Sequence, residues 1–143
     1  MQEQFVGTWK LVSAQFRDQD GKIIYPYGEN AIGMIIYDAG GRMCVQLARP
    51  DRPPFASGEL FNGSPEEARA TVEGYLGYFG TYTVDDHQGF VTHHIQGCSF
   101  PNWMGEDQRR GYTFSGNRLT LSTPPMPAAG GSLTGLLIWE RAA

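Results

Sequence analysis

Charge, cysteine and long apolar runs are all scarce in this chain. Charged residues make up only 18% of 143 positions, 11 Lys and Arg against 15 Asp and Glu. No basic run exceeds Arg109-Arg110, so the electrostatic footprint of a nucleic-acid binder is missing. The net charge of −4 favours solubility and does not name a partner. Cys44 and Cys98 are the only cysteines. Two isolated cysteines make no disulfide framework, and the expectation is a cytoplasmic protein with two buried free thiols. No stretch approaches the ~20 apolar residues of a membrane span. Residues 1–6 have neither the basic nor the apolar region of a signal peptide, so no leader is expected. Spacings such as His-x-His, Cys-x-x-Cys and His-Glu-x-x-His do not occur, so neither metal nor cofactor is expected. No Gly-x-Ser-x-Gly elbow is present, and the Asp residues cluster in turns, which leaves a Ser-His-Asp triad unsupported.

What the chain does have is glycine (19), proline (9) and aromatics (13%), a β-rich and turn-rich composition. Its length suits one domain over residues 1–143. Thr8 to Phe16 alternates as a strand. Short strands follow at Lys22–Tyr25, Ala31–Tyr37 and Arg42–Ala48, the last two around the hairpin signal Asp38-Ala39-Gly40-Gly41. The Pro-rich stretch 49–63 excludes regular structure. Ser64-Pro65-Glu66-Glu67 is a capping box with Pro at the first helical position. Helical spacing of Ala68, Val72, Tyr75, Leu76 and Phe79 extends that helix to about residue 79. Gly74, Gly77 and Gly80 are read as close helix-to-barrel packing, since no phosphate-loop Lys follows them. Further strands are expected at Gly80–Val84, Phe90–Ser99, Gln108–Ser115, Arg118–Thr123 and Leu133–Arg141, with Pro124–Gly131 a loop. Eight or nine antiparallel strands and one helix over about 64–79 indicate an all-β barrel or sandwich.

The opening Gly7-Thr8-Trp9-Lys10-Leu11-Val12-Ser13 and the closing Leu137-Ile138-Trp139-Glu140-Arg141 resemble the ends of a lipocalin-type barrel. There a first-strand Trp packs at the closed end beneath a cation from the last strand. Nearly the whole chain resembles the bacterial and fungal family of lipocalin-like domain proteins. The matching stretches include Tyr25-Pro26-Tyr27-Gly28, Gln46-Leu47-Ala48-Arg49-Pro50-Asp51-Arg52-Pro53, the helix from Ser64, His93-His94, and Phe100-Pro101-Asn102-Trp103 with Gly105, Gln108 and Arg110. The resemblance implies a single antiparallel calycin-type barrel with an inside. It also implies a free-standing small protein, in some cases one encoded beside enzymes of natural-product (secondary) metabolism. Related barrels are binders, cyclases or isomerases, and fold does not choose among them.

Alternation then suggests which groups face the cavity. The large residues Tyr112 and Phe114 set an inward parity that Arg110 and Gln108 share. Only one of His93 and His94 can face inward. His94 is favoured, although the Val91/Ile95 face is an open alternative. The expected inward faces hold no carboxylate, so an inward Arg110 would lack an internal counter-ion. It is either at the mouth or outside, or it anchors a ligand oxygen. Trp103, with Asn102, could line the mouth, and Arg49 and Arg52 could form a positive rim. The expected ligand-contacting set is Trp9, Met34, Met43, Val45, Asn102, Trp103, Gln108, Arg110, Tyr112, Phe114, Leu121 and Leu137, within an apolar interior that also takes in Leu11, Ile36, Leu47 and Leu119. A hydrophobic small molecule bearing an oxygen function or carboxylate would suit this set. The alternative is a cofactor-independent cyclase, isomerase or lyase in the same cavity, with His94 exchanging a proton and Arg110 steadying an oxyanion. Outward apolar positions (Ile35, Tyr37, Leu136, Ile138) leave a homodimer open.

Overall fold

The computed structural model describes residues 2–128 and 130–142. Ten strands run antiparallel in one sheet: β1 (Gly7–Asp18), β2 (Ile23–Ile24), β3 (Ile32–Tyr37), β4 (Arg42–Ala48), β5 (Tyr75–Asp85), β6 (Phe90–Cys98), β7 (Asp107–Ser115), β8 (Arg118–Ser122), β9 (Met126–Ala128) and β10 (Gly131–Arg141). Eight of them close on themselves in the order β1-β3-β4-β5-β6-β7-β8-β10, because β10 also pairs with β1. That seam runs from Trp9↔Arg141 to Asp18↔Leu133. β2 and β9 are short additions to the ends of β1 and β10 near the open rim. Closure removes the unpaired edges that an open sheet would expose. The chain is therefore an all-β, calycin-like barrel. β9 forms within the stretch expected as a loop.

One end is plugged. Helix α1 (Gln2–Phe5) places Phe5, fully buried, edge-on against Tyr37, Tyr112 and Phe114. Trp9 lies beside this cluster and donates its ring N–H to the Phe5 carbonyl at 2.8 Å. The Arg141 guanidinium sits 4.1 Å over the Trp9 ring and donates to the carbonyls of Val6 and Gln4. A cation on an indole face, with its fork satisfied by backbone, ties both termini to the floor.

Helix α2 (Pro65–Glu73) begins as expected. Ser64 Oγ accepts from the Glu67 N–H, and Glu67 accepts from the N–H groups of Ser64 and Ala56. It ends six residues early and buries none of its residues; Val72 is 66% exposed. The segment after Gly74 carries both periods. Tyr75, Leu76 and Phe79 continue a helical face, but Leu76, Tyr78, Tyr82 and Val84 also alternate. Seven consecutive pairs with β4, Ala48↔Tyr75 through Arg42↔Thr81, resolve the conflict in favour of a strand. The glycines then act in the sheet and not under a helix. Opposite Gly80 the partner strand β6 bulges at Gln96, and a Cβ on Gly80 would run into the His94 carbonyl oxygen.

β3 reverses the expected parity. Ile35 and Tyr37 are buried, whereas Met34 is 47% exposed and Ile36 also faces outward. Both rows of this strand are apolar, so alternation could not decide. Cross-strand partners share a face, and the pairs Trp9↔Ile35, Ile35↔Val45 and Tyr37↔Met43 bring Ile35 and Tyr37 inside. Leu136 and Ile138 point outward as expected. Cys44 and Cys98 are free but only half-buried.

Candidate functional site

Above the plugged floor, the barrel encloses a cavity of about 1020 Å³ that opens at the opposite rim. Its wall is mainly apolar: Phe16, Ile35, Val45, Leu47, Leu76, Leu121 and Leu137 from the strands. The rim is made by Tyr27, the turn Phe100–Trp103 and the strap Pro124–Ala128. Proline restricts that strap and turn to extended or tight-turn geometry, which holds apolar side chains over the mouth.

Few polar groups reach the interior, and they converge. His93 is 1% exposed, with Nε2 2.6 Å from the Tyr37 hydroxyl and Nδ1 2.6 Å from the Tyr78 hydroxyl. Burial, helped by the nearby Arg110 and His94 charges, pulls its pKa down to about 3. The ring is therefore neutral at physiological pH, with one N–H donor and one acceptor. Tyr37 is fully buried, and among the described residues His93 is its hydrogen-bond partner. A buried hydroxyl hydrogen needs an acceptor, so Tyr37 O–H donates to Nε2. Nδ1 then carries the proton and donates to the Tyr78 oxygen. This hydrogen-bond pattern assigns the tautomer. The Tyr78 hydrogen is left to point into the cavity that Tyr78 borders.

Arg110 lies beside this relay, 6% exposed. Its Nη1 donates to Gln108 Oε1 at 3.3 Å and to the Arg109 carbonyl at 3.2 Å. The guanidinium is close enough to Tyr78 to oppose the effect of burial, which nevertheless raises the Tyr78 pKa to about 12. It also stands 5.8 Å from the Trp103 ring, whose edge meets Tyr78. No carboxylate comes within ion-pair distance of it among the described residues. Guanidinium carries five N–H donors; Nη1 serves the two carbonyls, a further contact goes to the Tyr78 hydroxyl oxygen, and the residue borders the cavity. Trp139 Nε1 is a further buried donor with no partner among the described residues. The interior thus offers several donors and one positive charge, and its side-chain acceptors are the neutral oxygens of Ser99, Asn102, Gln108 and Thr123.

The expected site residues divide. Val45, Asn102, Trp103, Gln108, Arg110, Leu121 and Leu137 all border the cavity. Trp9, Met43 and Phe114 belong to the floor packing beneath it, and Tyr112 turns its hydroxyl to Asp86 at 3.2 Å. Met34 is on the outer surface. His94 also faces out, between Asp107 at 2.8 Å and Thr83 at 3.0 Å. The choice of His94 is corrected to His93 because β6 pairs Tyr82↔His93↔Gln108 on the inner face and Thr81↔His94↔Asp107 on the outer. Arg49 and Arg52 do not form a free rim: Arg49 binds Asp51 and the Pro26 carbonyl, and Arg52 covers Tyr75. Sequence reasoning missed Tyr37 and Tyr78 as site residues. The signal for Tyr78 was the alternation Leu76, Tyr78, Gly80, Tyr82 in the stretch read as a helix.

A closed antiparallel barrel with a plugged floor, an open rim and an internal cavity defines a container for small molecules. The lipocalin-like domain model matches residues 6–142, and the chain belongs to that family. A curated relative from Aspergillus oryzae (strain ATCC 42149 / RIB 40), the 4'-hydroxy-3'-methoxypropiophenone carrier protein ppsC, is 32% identical over 106 residues, covering 69% of this chain and 96% of the relative. Among solved structures, a variant of the fluorescent protein UnaG aligns over 100% of this chain and 99% of its own, at 16% identity and a TM-score of 0.46.

Proposed function

We propose that this protein binds and carries a small, largely apolar molecule through one acceptor oxygen. The observation that carries the reading is Arg110, a buried guanidinium bordering an apolar cavity without a carboxylate partner among the described residues. A buried charge without a counter-ion is costly, and a ligand oxygen at Arg110 and the Tyr78 hydroxyl would offset that cost. The rest of the ligand would lie among Phe16, Leu47, Leu121, Leu137 and Trp103. The carrier relative, whose name specifies an aryl ketone, supports a ligand of that kind and a place in secondary metabolism. The cyclase or isomerase alternative draws less support. Both His93 nitrogens are engaged by tyrosines and its pKa is about 3, which makes it a weak base near neutrality.

Native mass spectrometry with 4'-hydroxy-3'-methoxypropiophenone tests the proposal. A one-to-one complex from which the ketone is recovered unchanged is expected. Conversion of the ketone would favour an enzyme, and absence of any complex with this or other aryl ketones would remove the carrier reading.

A further inference from the structure

The geometry points to a site that takes its ligand as an oxyanion, a carboxylate or the conjugate base of a phenol or enol, with Arg110 as counter-ion and Tyr78 as second donor. This deepens the binding proposal and rests on it. A neutral carbonyl would satisfy donors, but it would not neutralise Arg110. Three features favour the charged form.

First, the inner charges do not cancel. Arg110 is the one ionised group deep in the cavity wall among the described residues, since His93 and the tyrosines facing it are neutral at physiological pH. Glu73 borders the mouth, but its carboxylate is engaged by Arg69 at 2.9 Å. Second, the polarity of the relay is directional. Tyr37 donates to His93, His93 to Tyr78, and Tyr78 to the cavity, each hydroxyl or ring group polarising the next. A chain that ends on a donor beside a cation is suited to an anion. Third, the oxygens held by Arg110 Nη1, Gln108 Oε1 and the Arg109 carbonyl, are neutral. They orient the fork and do not neutralise its charge.

Linkage gives the consequence. A site that binds the conjugate base more tightly than the acid ionises a weak acid at a lower pH than water does. Three probes separate this from simple apolar binding: 4'-hydroxyacetophenone, its methyl ether 4'-methoxyacetophenone, and 4-methoxybenzoate. Affinities are read from tryptophan fluorescence near neutral pH, and phenolate formation from the absorption of the bound hydroxy ketone. The inference expects 4-methoxybenzoate to bind at least about tenfold more tightly than the ether. It expects the bound hydroxy ketone to ionise about one pH unit or more below the free ketone, which corresponds to the same tenfold preference. In Arg110→Met both the phenolate band and the preference for the benzoate should vanish. A preference for only one of the two anions supports the inference and tells a carboxylate ligand from a phenolate. Equal or tighter binding of the ether, with no phenolate band in the wild-type protein, overturns the inference while leaving the carrier proposal standing. Failure of all three probes to bind would count against both. The wild-type spectrum alone decides the matter if the variant does not fold.

Discussion

Acid should weaken this fold through His93, and the size of the effect follows from its burial. In the folded protein its pKa is about 3, against 6.5 for a solvated histidine. The folded value is the lower one, so the unfolded chain takes up a proton first. Stability is then full above about pH 6.5, declines as pH falls below it, and levels off near pH 3. The slope approaches ~1.4 kcal/mol per pH unit. Between about pH 6.5 and pH 4 the loss is roughly 3 kcal/mol, a large share of the ~5–15 kcal/mol that holds a typical domain. Protonation would also place a second cation beside Arg110 and remove the acceptor that Tyr37 needs. Urea unfolding of wild type and His93→Gln at a series of pH values measures this. Glutamine can accept from one tyrosine and donate to the other, but it does not titrate. The variant should be less stable near neutrality, by about 1–2 kcal/mol for imperfect hydrogen bonds. It should also lose less stability on acidification, so the two curves converge and cross at about pH 5.5. Exposed carboxylates whose pKa is lowered, such as Asp51 and Glu67, titrate alike in both proteins and cancel in the comparison. Equal losses in the two proteins would show that His93 is not held neutral in the core.

Three further outcomes are expected. Tyr37→Phe leaves His93 Nε2 without its donor and Tyr78→Phe leaves Nδ1–H without its acceptor, so each should cost about 1–3 kcal/mol of stability by urea unfolding, and only Tyr78→Phe should also weaken binding of an aryl ketone; weaker binding in Tyr37→Phe with unchanged binding in Tyr78→Phe would overturn the assigned tautomer. Arg141→Ala removes the cation over Trp9 and two hydrogen bonds to the N-terminal carbonyls, and should lower stability by roughly 1–3 kcal/mol; unchanged thermal unfolding would show that the floor does not depend on this clamp. Gly80→Ala drives a methyl into the His94 carbonyl and should cost at least about 1–3 kcal/mol, read from the same unfolding curves; a neutral effect would mean that the β5–β6 bulge is not as tight as its geometry.

Much of the architecture was legible because closure and capping leave local marks. The Ser64–Glu67 box does in space what its residue types imply, and Gly7-Thr8-Trp9 at the start with Arg141 at the end does what the resemblance to lipocalin-type barrels implies. The inward row of β7 was legible too, since Gln108 and Arg110 share parity with two large aromatics. The errors fall where two patterns coexist in one segment. Residues 75–79 satisfy helical and strand periods together, β3 is apolar on both faces, and His93-His94 offers one histidine to each side.

The sequence alone determined an antiparallel all-β chain with one helix, and its resemblance to the lipocalin-like family chose a barrel over a sandwich. Turn residues, short alternating segments and the capping box are local signals, and each is set by backbone preferences within a few residues. It also determined that an inward arginine would lack a carboxylate, since the acidic residues are spread over turns and strand ends. Only the tertiary structure decided which histidine is inside, that Tyr37 and Tyr78 hold it neutral, and that Arg110 borders the cavity with donors to spare. Those facts depend on strand register across long loops. A shift of one residue exchanges the two faces of a strand, and no local preference encodes it. Pairing through Trp9↔Ile35, Tyr82↔His93 and His93↔Gln108 supplies that register, and with it the polarity of the cavity.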